Sequence, residues 1–207
     1  MLKAKIAVLV SGGGTNLQAL IDAVNNGTIK QGEIAVVISN NADAFALTRA
    51  YNSNIPREVV LKAKFPKPNA FENEIKRIIN EYGVDLIVLA GFMHILSKNF
   101  TSQYPKRIIN VHPSLIPAFC GKGYYGLKVH EAALKYGVKV TGATVHFVNE
   151  VPDGGEIILQ KAVNICRSDT PESLQQRVMR VAEWKLLPKA VEMVSADIVK
   201  GKGEKND

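Results

Sequence analysis

The chain is poor in cysteine, with only Cys120 and Cys166 among its 207 residues. It has no Cys-x-x-Cys pair and no Cys/His spacing typical of a zinc site, which argues against a disulfide framework and a structural zinc. We therefore expect free thiols, a reducing, cytoplasmic location and no metal ion.

Long apolar runs are also missing. No stretch approaches the roughly 20 apolar residues of a membrane-spanning helix. The first ten residues, MLKAKIAVLV, are followed at once by SGGGTN, whereas a signal peptide needs a longer apolar region and a small-residue cleavage site. The sequence predicts no membrane partner.

The formal charge is +7, but the basic residues are dispersed and form no arginine-rich block or aromatic-basic stripe. This distribution favours an ordinary basic surface over nucleic-acid binding, while an anionic small substrate stays open. The hydrophobic fraction of 46% and the charged fraction of 22% are usual for a globular protein. We expect one domain over residues 1–200 and a flexible tail over 201–207.

Apolar runs alternate with segments of helical periodicity through the first half of the chain. Strands are predicted at 5–10, 33–39, 57–61, 85–91 and 107–111, and helices at 16–26, 42–52, 69–82 and 127–136. The long strands 139–148 and 155–165 have a short connection, which predicts an antiparallel pair. A last helix is expected over 171–200, with any bend at Pro188. The pattern predicts a doubly wound, Rossmann-like α/β fold: a mostly parallel sheet with an antiparallel C-terminal strand pair.

The segment VLVSGGGTNLQAL joins a strand to a helix through glycines. Gly12 and Gly14 fit the dinucleotide-binding pattern, but Leu17 occupies its third position and no acidic residue follows the second strand. Backbone N–H groups at a helix start can bind a single phosphate, such as a phosphoribosyl group. A tight turn without a ligand remains the alternative.

Asn110 and His112, in IINVHPSLIPAF, lie on one face of a strand at its carboxyl end, where ligands bind in doubly wound sheets. An amide can donate to a developing oxyanion, and an imidazole can move a proton near neutral pH. The pair suits attack by an amine on an acyl group. The alternative is a histidine that only caps a proline-rich loop.

Asp153, in the turn sequence PDGG, is a candidate third partner. If it meets His112, its carboxylate would hold the imidazole and raise its pKa. It has an alternative as an ordinary turn residue. His146 can face either the core or the site, and His94 and His130 are expected to be structural. No serine or cysteine has the surroundings of a nucleophile, which disfavours covalent catalysis.

These segments together resemble the glycinamide ribonucleotide formyltransferase family, over roughly residues 6–188. The resemblance rests on VLVSGGGTNLQALID, VLAGFMHILS, NVHPSLIPAF, TVHFVNEVPDGGEIILQ and AEWKLLP, in that order. It implies transfer of the formyl group of 10-formyltetrahydrofolate to the amine of glycinamide ribonucleotide. Asn110 would stabilise the oxyanion, His112 would move the proton, and Asp153 would hold His112.

The resemblance also implies binding residues. The residues implied for the ribonucleotide are Gly14, Thr15, Asn16, Arg180 and Glu183. The residues implied for the folate are Lys67, Met93, His94, Ile95, Leu96, Asn110, Asn149, Glu150, Val151, Pro152 and Asp153. Phosphate binding would belong to the half near 1–105, and catalysis and folate binding to the half near 106–200.

The sequence departs from that family at the folate's glutamate tail. His94 stands where many members carry Arg, and Pro68 stands near a position where many carry Arg or Lys. Trp184 stands where the family has a histidine. We expect Lys67 to take the place of the missing cation near Pro68.

Three rival functions are to be weighed against this one. Methionyl-tRNA formyltransferases carry a further C-terminal domain and formyltetrahydrofolate deformylases usually an N-terminal one, so we expect neither from the length. The third is a non-catalytic nucleotide- or RNA-binding α/β module. The sequence does not choose between a monomer and a homodimer.

Overall fold

The computed structural model describes residues 2–204. The strands are β1 (Ala4–Val10), β2 (Gly32–Ser39), β3 (Arg57–Val59), β4 (Leu86–Leu89), β5 (Ile108–His112), β6 (Val140–Phe147) and β7 (Ile157–Asn164). The helices are α1 (Thr15–Asn25), α2 (Phe45–Asn52), α3 (Ala70–Glu81), α4 (Lys98–Thr101), α5 (Leu127–Tyr136), α6 (Pro171–Val178) and α7 (Trp184–Gly203). A 3₁₀ turn covers Lys62–Lys64, and a π-helical segment covers Met179–Glu183.

The seven strands form one sheet in the order β3-β2-β1-β4-β5-β6-β7. β1 is parallel to β2 and β4, and β2 is parallel to β3. β6 is antiparallel to β5 and to β7. The predicted α/β fold, with a parallel part and an antiparallel C-terminal pair, is confirmed.

The chain divides into two compact units, residues 2–96 with 191–204 and residues 97–190. In the first unit, β1 is an inner strand between β2 and β4, and its apolar run is buried, as is usual for a parallel strand whose two faces are covered. Helices α1 and α3 bury one apolar face each, with Leu17 and Leu20 on α1 and Ile75 and Ile78 on α3.

The C-terminal part of α7 belongs to the first unit. The Glu192 carboxylate accepts from the backbone N–H groups of Lys30 and Gln31 at 2.7 and 2.9 Å. The Lys202 ammonium pairs with Asp85 at 2.6 Å. The prediction of a tail from residue 201 was therefore wrong for residues 201–203, which are helical; residues 205–207 lie outside the described residues.

In the second unit, β6 lies between β5 and β7, and its middle residues are fully buried. The predicted single helix over 171–200 is instead α6, the π-helical segment and α7. The change in hydrogen bonding therefore comes at 179–183, before Pro188, which lies inside α7. β3 and β4 are shorter than predicted, and β3 pairs over only three positions of β2.

Candidate active site

The carboxyl end of β5 and the loop between β6 and β7 bring the three predicted polar residues together. His112 is the last residue of β5, and Asn110 precedes it on the same face. The Asp153 carboxylate lies 3.4 Å from His112 Nδ1 through Oδ2. Its other oxygen, Oδ1, accepts from Asn110 Nδ2 at 3.4 Å. The side chains of His112 and Asp153 are 5% and 14% exposed, so they interact in a largely desolvated site.

A tight turn presents Asp153 to β5. Gly154 N–H donates to the Val151 carbonyl at 3.0 Å, Pro152 occupies the second position, and Asp153 has a φ of +56°. Proline followed by a residue with positive φ is typical of a type II turn. A Cβ on Gly155 would lie 1.7 Å from the Phe147 carbonyl oxygen, so the loop can return to β6 only with glycine there. Asp153 is therefore a turn residue and also a neighbour of His112 and Asn110, so the two interpretations of this residue are compatible.

The loop after β5 supplies the other contacts of this cluster. The Phe119 carbonyl oxygen lies 2.8 Å from His112 Nε2. Because a carbonyl only accepts, Nε2 carries the proton in this bond. Neutral His112 therefore has its lone pair on Nδ1, which faces Asp153. Gly121 N–H donates to Asp153 Oδ2 at 2.8 Å and fixes the same carboxylate from the loop.

His146 is a fourth member of the cluster. It lies opposite Asn110 in the β5–β6 register, and Asn110 Nδ2 lies 3.3 Å from its Nε2. His146 Nδ1–H donates to the Phe147 carbonyl at 2.7 Å, and its Nε2 lies 3.6 Å from Asp153 Oδ1, close to both the amide and the carboxylate. Sequence reasoning left His146 undecided between core and site. Because His146 pairs with Asn110 across β5 and β6, it faces the site.

The electrostatics differ from the expectation for His112. Burial lowers the pKa of His112 below its usual range and outweighs Asp153 and the Phe119 carbonyl, which both raise it. The carboxylate raises the pKa as predicted, but burial, which the sequence does not report, makes the net direction downward. For Asp153, burial raises the pKa, but His146, the charge on His112 and the Gly121 N–H together lower it further, so the carboxylate is ionised near neutral pH.

The glycine loop lies in the first unit, between β1 and α1. Gly14 has a φ of +70° and precedes the first residue of α1, and a Cβ there would lie 2.6 Å from the Cβ of Ala46. Gly12 and Gly13 are exposed, and Arg49 Nε donates to the Gly13 carbonyl at 2.8 Å. Thr15 opens the helix, and Asn16 is buried in its first turn. The loop thus presents exposed backbone at the positive end of an 11-residue helix.

The predicted folate residues 93–96 lie beside the glycine loop, because Met93 N–H donates to Ser11 Oγ at 2.7 Å. Met93 and Ile95 are exposed by 57% and 62%, whereas Leu96 is buried. His94 Nε2 lies 3.6 Å from Glu72 Oε1, and its ring packs edge-on against Phe71. Burial and the nearby Lys62 charge lower the pKa of His94, despite Glu72.

Lys67 is exposed in the loop before α3. Its carbonyl accepts from the N–H of Ala70, the first residue of that helix. The ammonium group stands on a surface segment that also carries Lys62 and Lys64.

In the second unit, an open cavity of about 290 Å³ lies beside the predicted folate loop. Its walls include Thr101, Ser102, Val148, Asn149 and Glu150. The volume is near the lower end of ligand pockets, roughly 300–1,000 Å³. Of the remaining loop residues, Val151 and Pro152 are exposed in the turn before Asp153.

Arg180 and Glu183, predicted to bind the ribonucleotide, both lie in the π-helical segment. Arg180 is exposed and Glu183 is 6% exposed. Such segments are frequent at functional sites.

Cys120 and Cys166 are both free thiols, as expected. Within residues 2–204, no group of three or more His, Cys, Asp or Glu side chains could hold a metal ion. In the same range, no helix combines the length and hydropathy needed to cross a membrane.

Comparison with known proteins gives a consistent result. The model of the Formyl transferase family matches residues 4–191. Phosphoribosylglycinamide formyltransferase of Haemophilus influenzae is 45% identical over 184 residues, 89% of this chain and 84% of that protein. The trifunctional purine biosynthetic protein adenosine-3 of Bos taurus is 42% identical over 198 residues, 96% of this chain but only 19% of that protein.

The solved structures agree with the sequence comparisons. Glycinamide ribonucleotide transformylase 1 from Symbiobacterium toebii superposes with a TM-score of 0.88 at 41% identity, over 94% of this chain and 89% of that one.

Proposed function

This chain belongs to the formyl transferase family, and from that premise we propose that it transfers the formyl group of 10-formyltetrahydrofolate to the amine of 5-phosphoribosylglycinamide. The observation that carries the proposal is the contact of Asp153 with both Asn110 and His112 at the carboxyl end of β5. The names of the relatives in Haemophilus influenzae and Symbiobacterium toebii support the same reaction.

The geometry supports a direct attack by the amine. Its nitrogen forms a bond to the formyl carbon, and the carbonyl oxygen takes the negative charge. Asn110 Nδ2 would donate to that oxygen by giving up one of its two long contacts, at 3.3 Å to His146 and 3.4 Å to Asp153.

His112 is the proton acceptor in this proposal. With Nε2–H held by the Phe119 carbonyl, Nδ1 takes the proton that the attacking amine loses. The imidazolium then faces the Asp153 carboxylate at 3.4 Å, which stabilises it. The oxyanion then reforms the carbonyl, the bond from the formyl carbon to the folate nitrogen breaks, and that nitrogen takes the proton that His112 Nδ1 holds, giving tetrahydrofolate and formylglycinamide ribonucleotide.

The remaining residues are assigned to binding. Gly14, Thr15 and Asn16 would bind the phosphate, because exposed glycines open a helix whose positive end favours an anion. Arg180 and Glu183 would bind the ribonucleotide, with Glu183 on the ribose hydroxyls. The segments 93–96 and 149–153 would bind the folate, and Lys67 its glutamate tail.

The proposed location is the cytoplasm, which rests on the two free cysteines. A monomer or homodimer without a nucleic-acid partner remains our proposal for its assembly.

The test is tetrahydrofolate formation from 10-formyltetrahydrofolate, measured with and without glycinamide ribonucleotide. We expect turnover only with the ribonucleotide, its loss in His112→Ala, and normal turnover in a control, Cys166→Ala, whose exposed thiol lies outside the cluster. Turnover without the ribonucleotide would indicate a deformylase instead. No turnover under either condition would leave the binding-module interpretation.

A further inference from the structure

Phe119 combines a strained backbone with a contact to the candidate base. Its φ is +49°, a left-handed conformation that residues other than glycine rarely adopt. Its carbonyl lies 2.8 Å from His112 Nε2. Because such strain persists only where the surroundings enforce it, something must hold this residue in place.

Two tyrosines contact the Phe119 ring. The Tyr136 ring, at the end of α5, lies 5.9 Å from it at an interplanar angle of 73°. The Tyr124 ring lies 6.3 Å from it at 62°. Both are edge-to-face pairs within the favourable distance range. Tyr136 is 79% exposed, so burial in a core does not explain its position over this loop.

Hydrogen bonds restrain the chain on both sides of Phe119. Before it, Ser114 Oγ donates to the Ala118 carbonyl at 2.6 Å. After it, Gly121 N–H donates to Asp153 at 2.8 Å. Fixed flanks still allow the peptide between them to rotate, and the side-chain contacts of Phe119 oppose that rotation.

We propose that Tyr124 and Tyr136 are positioning residues that hold the Phe119 carbonyl against His112 Nε2 and thereby keep Nδ1 as the proton-accepting atom. If this carbonyl turned away, His112 could exchange to the Nδ1–H tautomer, whose proton would bond to Asp153. Nδ1 would then have no lone pair for the substrate amine. The inference rests on the proposed function for its kinetic consequences, but the tautomer itself can be observed without turnover.

The experiment compares Tyr124→Ala/Tyr136→Ala with Tyr124→Phe/Tyr136→Phe, and uses Tyr125→Ala as the control. Tyr125 lies in the same loop, is half exposed, and contacts Lys128. We expect the double alanine variant to lose about tenfold in kcat, or about 1.4 kcal/mol, which is the combined size expected of two such ring pairs. KM should change little. The phenylalanine pair and the control should keep the unsubstituted activity.

Imidazole nitrogen NMR supplies the second measurement, on a protein with only four histidines. We expect the His112 signals to report Nε2–H in the unsubstituted protein and a mixture of tautomers in the alanine pair. Thermal melts should show both pairs folded, because the substituted rings are at least partly exposed; if the alanine pair melts early, Tyr136→Ala alone is used.

Three results would overturn the inference: an unchanged tautomer and kcat in the alanine variant, an equal loss in the phenylalanine variant, or a change confined to KM. If the unsubstituted protein shows no turnover, the proposed function fails, and the NMR comparison alone decides the inference.

Discussion

Replacing Asp153 by Asn removes one charge from the cluster while keeping the size of the side chain. Its remaining oxygen can still accept from Gly121 N–H, so the turn should persist. The change removes the counter-charge for imidazolium at His112 Nδ1, 3.4 Å away. We expect the fold to be retained and turnover to fall.

The distance gives the size of the loss. Two unit charges separated by 3.4 Å interact with about 5 kcal/mol at an effective dielectric constant of about 20. Positioned acid–base groups typically contribute about 10²–10⁴ in rate, or roughly 2.7–5.5 kcal/mol. The electrostatic value falls within that interval, so a loss of roughly 10³–10⁴ in kcat/KM is the expected result.

The assay is kcat/KM for formyl transfer as a function of pH. With His112 acting as the neutral base, activity rises as the pH increases through its pKa. Asp153 raises that pKa, so its removal should move the acidic limb to lower pH. Glu156→Gln, a charge loss on the same loop at an exposed residue paired with Lys106, is the control and should have no such effect.

Two results would refute this reasoning. Activity of Asp153→Asn close to that of the unsubstituted protein would remove the carboxylate from the mechanism. An acidic limb that moved to higher pH would mean that His112 does not act as a base supported by this charge.

Three further predictions concern stability and binding. His130 is fully buried, and burial, with the charge of His112, lowers its pKa to about 4. Because the pKa in the unfolded chain is about 6.5, the unfolded state binds a proton first, and the free energy of unfolding should fall by about 3 kcal/mol as the pH drops from 6.5 to 4. Chemical denaturation should show this slope, and His130→Leu should flatten it; an unchanged slope would contradict the assignment. Gly142→Ala places a Cβ 2.1 Å from the Lys161 carbonyl oxygen and should lower the free energy of unfolding by about 1–3 kcal/mol. The control, Gly201→Ala, adds a Cβ in open space on a helix and should leave stability unchanged or raise it by up to about 1 kcal/mol. Equal melting temperatures for the two variants would be inconsistent with the clash. Lys67→Ala should raise KM for polyglutamylated but not monoglutamylated folate by a fewfold, and equal effects on both would exclude Lys67 from the glutamate tail.

The strands were predictable because their apolar runs are long and bounded by turn residues. In the run KIAVLV, Lys5 is exposed but residues 6–10 are buried, and β1 covers the run with one further residue, Ala4. The predicted length of β3 was too great because the apolar residues after Val59 do not by themselves show strand pairing. Only three positions of β2 have a partner in β3.

The last helix was predicted in extent but not in kind. Helical periodicity continues through 179–183, so the apolar pattern carries no sign of the wider π-helical hydrogen bonds. The end of the chain was misjudged because its lysines and glycines suggested a tail. Lys202 instead pairs with Asp85, a residue 117 positions away, which no local pattern reports.

The candidate site was predictable where it depends on strand geometry. The alternation of side chains put Asn110 and His112 on one face, and the structure brings Asp153 to both. Phe119 was missed because its contribution is a backbone carbonyl in an unusual conformation. The net direction of the His112 pKa was missed because the degree of burial depends on tertiary packing, not on the neighbouring carboxylate alone.

The most direct test of the central claim follows an isotopically labelled formyl carbon from 10-formyltetrahydrofolate in the presence of glycinamide ribonucleotide. If the amine attacks the formyl carbon directly, in the site formed by Asn110, His112 and Asp153, the label should appear in the formylated amine of the product, with no formate released. Release of the label as formate would contradict direct transfer and would assign the cluster to hydrolysis.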